Sequence, residues 1–173
     1  MIETVVGNIA SPKTQIVVNP ANGIGVMGKG VAGALAVVGG PEIVEEAKAL
    51  IRKRGKHFEA GDVYPTTSGK LHRRGVKKIY HAVTMQYPGG FTSLDIVSKL
   101  MSKVLEKAIA AGRESIAMPG LGTGIGRLDY TVVANVMVNI AKRHDHEIKI
   151  KIIDQSPIFI SEVNKLLGVN TNP

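Results

Sequence analysis

VVNPANGIGVMGKGVAGALAVVGG, Val17 to Gly40, passes from a β-branched stretch through glycines at 23, 25, 28 and 30 into an apolar segment of helical character. Glycine at this density either permits unusual dihedrals or lets a ligand approach the bare backbone. Two nucleotide motifs nearly match. Gly23, Gly25 and Gly28 spell G-x-G-x-x-G, while Gly23 to Gly30 spell G-x-x-x-x-G-K-G, a P-loop with Gly30 where Ser or Thr belongs. The first motif requires an acidic residue ending the next strand roughly 20 residues on. Glu45 and Glu46 stand at that distance, within a segment of helical pattern. The second requires a hydroxyl for Mg²⁺, which Gly30 lacks, and an acidic residue closing a buried strand. Asp154 instead closes a run studded with lysines. Neither motif fits its context.

A second glycine-rich loop decides what the first is for. Gly120, Gly122, Gly124 and Gly126 again lie between a predicted strand, Ser115 to Met118, and a predicted helix, Tyr130 to about Lys142. Two loops that each present backbone N–H groups beside a helix N-terminus suit the two sides of a diphosphate. Such a grip calls for no cofactor and no metal.

Around these loops the periodicities alternate. Ile2 to Val6, Gln15 to Asn19, Asp62 to Thr67, Lys77 to Thr84 and Glu147 to Asp154 read as further strands. Gly30 to Val38, Glu42 to Arg54, a segment capped by Thr92 and Ser93 and running to Gly112, and Pro157 to Leu167 read as helices. Asp129 is a candidate N-cap for the helix from Tyr130. A Ser68-Gly69 turn and a basic loop separate two of the strands without a helix, so these are expected to be neighbours. Strands alternating with helices imply an α/β sandwich, and the pair lacking a helix makes its sheet mixed.

At 173 residues, the chain is expected to form one unit, 1–173. No apolar run reaches the ~20 residues of a membrane span, and MIETVVGNIA lacks a basic region followed by an apolar one. No membrane partner is expected, and the expected location is cytoplasmic. Without cysteine there is no disulfide framework and no thiolate metal site, in keeping with a reducing compartment. The five histidines are scattered, with only His144 and His146 close together, so no metal is expected. The formal charge of +8 favours polyanionic partners. Basic clusters occur at Arg52-Lys53-Arg54-Gly55-Lys56-His57, at His72-Arg73-Arg74 with Lys77-Lys78, and at Lys142-Arg143-His144. Each sits at the end of an element, where positive charge also complements a helix C-terminus. Only 4% of residues are aromatic, a poor supply for stacking single-stranded nucleic acid.

Asn19-Pro20-Ala21-Asn22 with Gly28-Lys29-Gly30-Val31-Ala32-Gly33-Ala34 resembles the N-x-A-N…G-G-G-V-x-x-A-I signature of the macro domain family, which comprises ADP-ribose-binding modules and hydrolases. Gly7-Asn8-Ile9 resembles its G-D-I segment, Tyr80-His81-Ala82-Val83 its mid-domain strand, and Met118 to Ile125 its P-x-x-S-T-G-I loop. The resemblance covers nearly the whole chain. It implies a three-layer α/β/α sandwich with a mixed central sheet, and ADP-ribose or an ADP-ribosylated macromolecule as the partner. Carried over by position, it places the diphosphate between Gly28, Lys29, Gly30, Val31 and Ala32 on one side and Gly122, Thr123, Gly124, Ile125 and Gly126 on the other. It places adenine at Asn8, Ile9 and Ile153, and the distal ribose at Asn22. Asn19, which opens the N-x-A-N motif, is counted with the ligand-binding residues.

Departures from the family pattern bear on catalysis. One hydrolase branch carries an acidic residue where this chain has Ala32. Val26-Met27-Gly28-Lys29-Gly30 and Arg127-Leu128 resemble a second branch, the terminal ADP-ribose glycohydrolases and antitoxins acting on ADP-ribosylated DNA. That branch's nucleophilic lysine falls at Met85 and its partner aspartate at Gly126. Asn22, His81 and Asp129 remain as candidate catalytic residues. Binding of ADP-ribose therefore ranks first. A hydrolase of ADP-ribosylated protein or nucleic acid, of O-acetyl-ADP-ribose or of ADP-ribose-1''-phosphate ranks second. Nucleic-acid binding through the basic clusters is a third reading.

Overall fold

A computed structural model describes residues 1–169. Its six strands are β1 (Ile2–Val6), β2 (Ile16–Asn22), β3 (Val63–Thr66), β4 (Lys78–Met85), β5 (Ser115–Met118) and β6 (Lys149–Asp154). They form one sheet in the order β1-β6-β5-β2-β4-β3. All neighbours are parallel except β3, which runs antiparallel to β4. The helices are α1 (Gly30–Gly39), α2 (Pro41–Arg54), α3 (Leu94–Ala110), α4 (Tyr130–His144) and α5 (Pro157–Leu167), and a 3₁₀ helix spans Gly69–Arg74. None of the helices is long and apolar enough to cross a membrane.

Strand alternation divides the side chains between two layers. Ile16, Val18, Ile116, Met118, Ile150 and Ile152 pack against α3, α4 and α5, whereas Val17, Ile79, Ala117 and Ile153 meet Leu35 of α1, Ile43 of α2 and Leu71 of the 3₁₀ helix. In α3, Val97, Leu100, Met101, Val104, Leu105 and Ala108 recur every three or four residues and are fully buried. Each of its larger side chains contributes about 1.5–3 kcal/mol of burial. The α/β sandwich with a mixed sheet expected from the element order is what the chain forms.

Three local differences from the sequence reading have physical causes. β2 continues past Asn19 to Asn22 because β4 pairs alongside it as far as Met85, with a register shift at Ala21/Asn22. The expected basic loop winds into the 3₁₀ helix, seated by buried Leu71 and closed by Gly75 at φ 89. β6 starts at Lys149, two residues later than expected, where pairing with β5 begins at Ser115.

Strand order also creates the crevice. β2 and β5 are neighbours, yet α1, which follows β2, and α4, which follows β5, cover opposite faces of the sheet. The chain diverges at their C-terminal ends, the place where open α/β sheets bind ligands.

Candidate functional site: a cleft between two glycine-rich loops

At that divergence lies a cleft of about 690 Å³, within the range of small-molecule sites. Gly28, Lys29, Gly30, Val31 and Ala32 line one side, and Gly122, Thr123, Gly124, Ile125 and Gly126 the other. Asn8, Ile9 and Ile153 line one end, together with Asn22, Thr84, Met85 and Pro88 elsewhere in the wall.

The first loop leaves its donors free. α3, α4 and α5 begin with side-chain caps from Ser93, Asp129 and Ser156, and α2 has Pro41 in its first turn. α1, whose N-cap position is Lys29, has no side-chain cap and no acidic residue in its first turn. The first N–H groups of a helix have no intrahelical partner, and here they open into the cleft. The N–H groups of Gly28 and Lys29 likewise donate to no group among the described residues. Asn22 holds this loop in place: its Oδ1 accepts from Val26 N at 3.1 Å and its Nδ2 donates to Val26 O at 3.0 Å. Met27 packs into the core beneath.

The second loop is tied at its base and open at its crest. Gly120 N donates to Asp154 Oδ2 at 3.0 Å, Thr123 Oγ1 to Gly120 O at 2.9 Å, and Leu128 N to Gly122 O at 3.0 Å. Leu121 is fully buried and Arg127 adopts φ 52, uncommon for a residue with a side chain. The N–H groups of Thr123, Gly124, Ile125 and Gly126 donate to no group among the described residues. A cleft flanked on both sides by unpartnered N–H groups is a concavity for negative charge.

The glycines divide into two kinds. A Cβ built on Gly28, Gly30 or Gly124 meets nothing within 4 Å, so these face the open cleft. Gly30 also has φ +59, which a side chain would strain. At Gly23 a Cβ would come within 1.9 Å of Phe58 O, and at Gly126 within 2.6 Å of both Gly122 O and Thr92 Cγ2. Those two are glycine for packing.

Most of the sequence-derived site residues come together at the cleft, but three do not. Asn19, expected among the ligand-binding residues, is fully buried and lines no part of it. Its Nδ2 instead contacts His81 Nδ1 at 3.1 Å. His81 is in the same layer, 1% exposed, with Nε2 2.8 Å from Thr66 Oγ1 and its ring stacked on Tyr64 at 4.7 Å. Asn19 donates to Nδ1, so Nε2 carries the proton and donates to Thr66, whose hydroxyl in turn donates to Thr67 O. Burial pushes the His81 pKa down to about 3, so the ring is neutral. It is a core histidine, out of reach of a ligand. Asp129 lies outside the cleft lining and caps α4 through Val132 N at 3.1 Å. Asn8 lines the cleft, but its Oδ1 accepts from Ala10 N at 2.8 Å, leaving the second lone pair and the amide hydrogens for a ligand.

Sequence reasoning missed Asp154 and Tyr130 as cleft residues. A carboxylate closing a parallel strand was the available signal for Asp154. Both its oxygens are occupied, Oδ2 by Gly120 N and Oδ1 by Ser156 N at 2.8 Å. Tyr130 begins α4 and meets Phe159 edge-on at 5.9 Å, a contact without local sequence signature. Met85 ends β4 opposite Asn22 and is 6% exposed.

Fold and cleft together define a doubly covered α/β domain with a strand-end site. The chain belongs to the macro domain family, whose family model matches residues 18–137. A protein of Aquifex aeolicus without assigned function is 34% identical over 172 residues, which cover 97% of this chain and 98% of that one. Among solved structures, a variant of the Oceanobacillus iheyensis macrodomain with ADPR superposes with a TM-score of 0.85 at 23% identity, covering 96% of this chain and 91% of that one. The Trypanosoma brucei macrodomain in complex with ADP-ribose gives 0.82 at 18% identity, covering 96% and 69% of the two chains. The macrodomain of Mycobacterium tuberculosis DarG gives 0.79 at 26% identity, covering 90% and 99%.

Proposed function

We propose that this domain binds ADP-ribose, free or attached to a macromolecule, with the diphosphate seated between Gly28–Ala32 and Gly122–Gly126. Adenine then lies at Asn8, Ile9 and Ile153, and the distal ribose points toward Asn22 and Met85. One observation carries this reading: two glycine-rich loops with unpartnered N–H groups face each other across a single cleft. The family membership and the ADP-ribose held by two structurally similar macrodomains support it. Among the described residues Lys29 is the one cation in the lining, so backbone dipoles supply most of the positive field and a metal is not required for the grip.

Binding is favoured over turnover by the side chains available. Besides Lys29, the ionisable lining consists of Tyr130 and of Asp154, whose carboxylate already accepts two backbone N–H groups. Of the candidate catalytic residues, His81 and Asp129 lie outside the cleft, and both arms of the Asn22 amide are committed to Val26. General acid-base work needs a titratable group within reach of the scissile bond.

Titration calorimetry with ADP-ribose, AMP and ATP in the absence of Mg²⁺ tests the reading. ADP-ribose is expected to bind most tightly. ATP binding that equals it, or that requires Mg²⁺, would overturn the assignment. Multiple-turnover assays on ADP-ribosylated protein and nucleic acid, O-acetyl-ADP-ribose and ADP-ribose-1''-phosphate are expected to show little product.

A further inference from the structure

The basic stretch around Arg73, Arg74 and Lys77 takes no part in the cleft. It borders a second groove, of about 710 Å³, at the opposite end of the sheet, where β2, β4 and β5 begin. Its cations come from three separate segments: Lys13 from the connection into β2, Arg73 and Arg74 from the last turn of the 3₁₀ helix, and Lys77 from the entry to β4. Among the described residues no carboxylate lines the groove. Among the described residues none of these four cations forms a salt bridge. Glu114, beside the lining residue Ser115, lies 3.5 Å from Gln15 Nε2.

Complementing the end of a helix accounts for Arg73 and Arg74 but not for Lys13 and Lys77, which lie outside any helix. Four like charges around one depression repel each other, and a polyanion removes that repulsion. Arg74 is already oriented by Ala10 O and Ser11 Oγ, both at 3.4 Å. Ser11, Thr14, Gln15 and Ser115 add hydroxyls and an amide to the lining, which has no aromatic ring on which a base could stack. Its one large apolar side chain, Pro12, is buried and offers nothing to insert into a lipid surface. We propose that this groove is a second binding site, for the phosphodiester backbone of a nucleic acid duplex held without base recognition. It is independent of the ADP-ribose reading, because the two depressions share no residue.

The test is fluorescence anisotropy with a labelled duplex of about 20 base pairs at about 50 and 200 mM salt. Each phosphate contact contributes a slope of about 0.9 in log affinity against log salt, so four contacts predict a roughly 150-fold weakening across that range. The variant Lys13→Ser, Arg73→Ser, Lys77→Ser removes side chains that make no hydrogen bond or ion pair among the described residues. Its salt effect is expected to shrink to roughly 3-fold. Arg73→Ser alone should lower the slope by about one. ADP-ribose should neither displace the duplex nor bind the triple variant more weakly. A control of equal charge, Arg52→Ser, Lys53→Ser, Lys56→Ser, should keep the wild-type slope. The proposal is overturned if the control loses as much as the groove variant, since net charge alone would then hold the duplex. It is equally overturned by displacement with ADP-ribose, by polyglutamate competing as well as unlabelled duplex, or by no duplex binding at the lower salt.

Discussion

Asn22 and Val26 exchange two hydrogen bonds, the side-chain amide of one closing on the backbone N–H and carbonyl of the other. The pair fixes where β2 ends and how the first glycine-rich loop leaves it. Its neighbour across the sheet, Met85, closes the strand that runs beside it. An asparagine expected to touch the distal ribose is thus first a clamp on the loop that presents the N–H groups.

Replacing Asn22 with alanine is therefore expected to weaken ADP-ribose binding about tenfold, or about 1.4 kcal/mol. Both bonds are solvent-exposed, so the cost in folding stability should stay near 1 kcal/mol. Calorimetric titration beside a urea melt separates the two effects. Unchanged affinity would mean that the loop needs no clamp.

Gly28 and Gly124 face open space, so Gly28→Ala and Gly124→Glu are expected to leave the melting temperature within a few degrees of wild type. Gly124→Glu, which places a carboxylate beside the proposed diphosphate position, should lose at least tenfold in affinity, about 1.4 kcal/mol. Gly30→Val acts on both quantities. Its position at φ +59 adds about 1–2 kcal/mol of backbone strain to the steric block. A Gly124→Glu protein that melts early but binds normally would remove the cradle from the proposed function.

Gly23→Ala should behave in the opposite way. Its Cβ would lie 1.9 Å from the Phe58 carbonyl, so β2 or the Phe58 segment must shift. A stability loss of about 1–3 kcal/mol is expected, read as a lower midpoint in urea. Any fraction that remains folded with Asn22 still clamped on Val26 should bind ADP-ribose as wild type does.

His81 makes stability depend on pH. Its folded pKa of about 3 lies below the ordinary 6.5, so the unfolded chain binds more protons at intermediate pH. Stability from this group is fully present above pH 6.5 and is lost as pH falls toward 3, by up to about 1.4 kcal/mol per pH unit. Urea midpoints between neutral and acid pH, compared for wild type and His81→Gln, isolate this contribution from the carboxylates. The variant should show the shallower decline. Affinity of the folded protein for ADP-ribose over the same range should not follow His81, which is outside the cleft.

Local patterns in the sequence were enough to identify the six strands and five α-helices, though not the 3₁₀ helix at Gly69–Arg74. The three- and four-residue recurrence from Leu94 to Ala108, the capping residues Ser93 and Asp129, and the alternation through Ile148, Ile150 and Ile152 each reflect a period of the backbone itself. The two runs of glycine also marked both loops that line the cleft, since glycine at that density signals either unusual dihedrals or a backbone left bare. Tertiary structure alone decided that these loops meet. They are far apart in sequence, and they face each other because β2 and β5 pair side by side while their helices depart to opposite faces. Only packing showed that Asn19 is sealed against His81, that Gly23 and Gly126 are glycine for want of space, and that Gly30 is open but left-handed. A residue's type records what it can do, whereas its burial and its neighbours across strands are set by contacts between segments that no local pattern encodes.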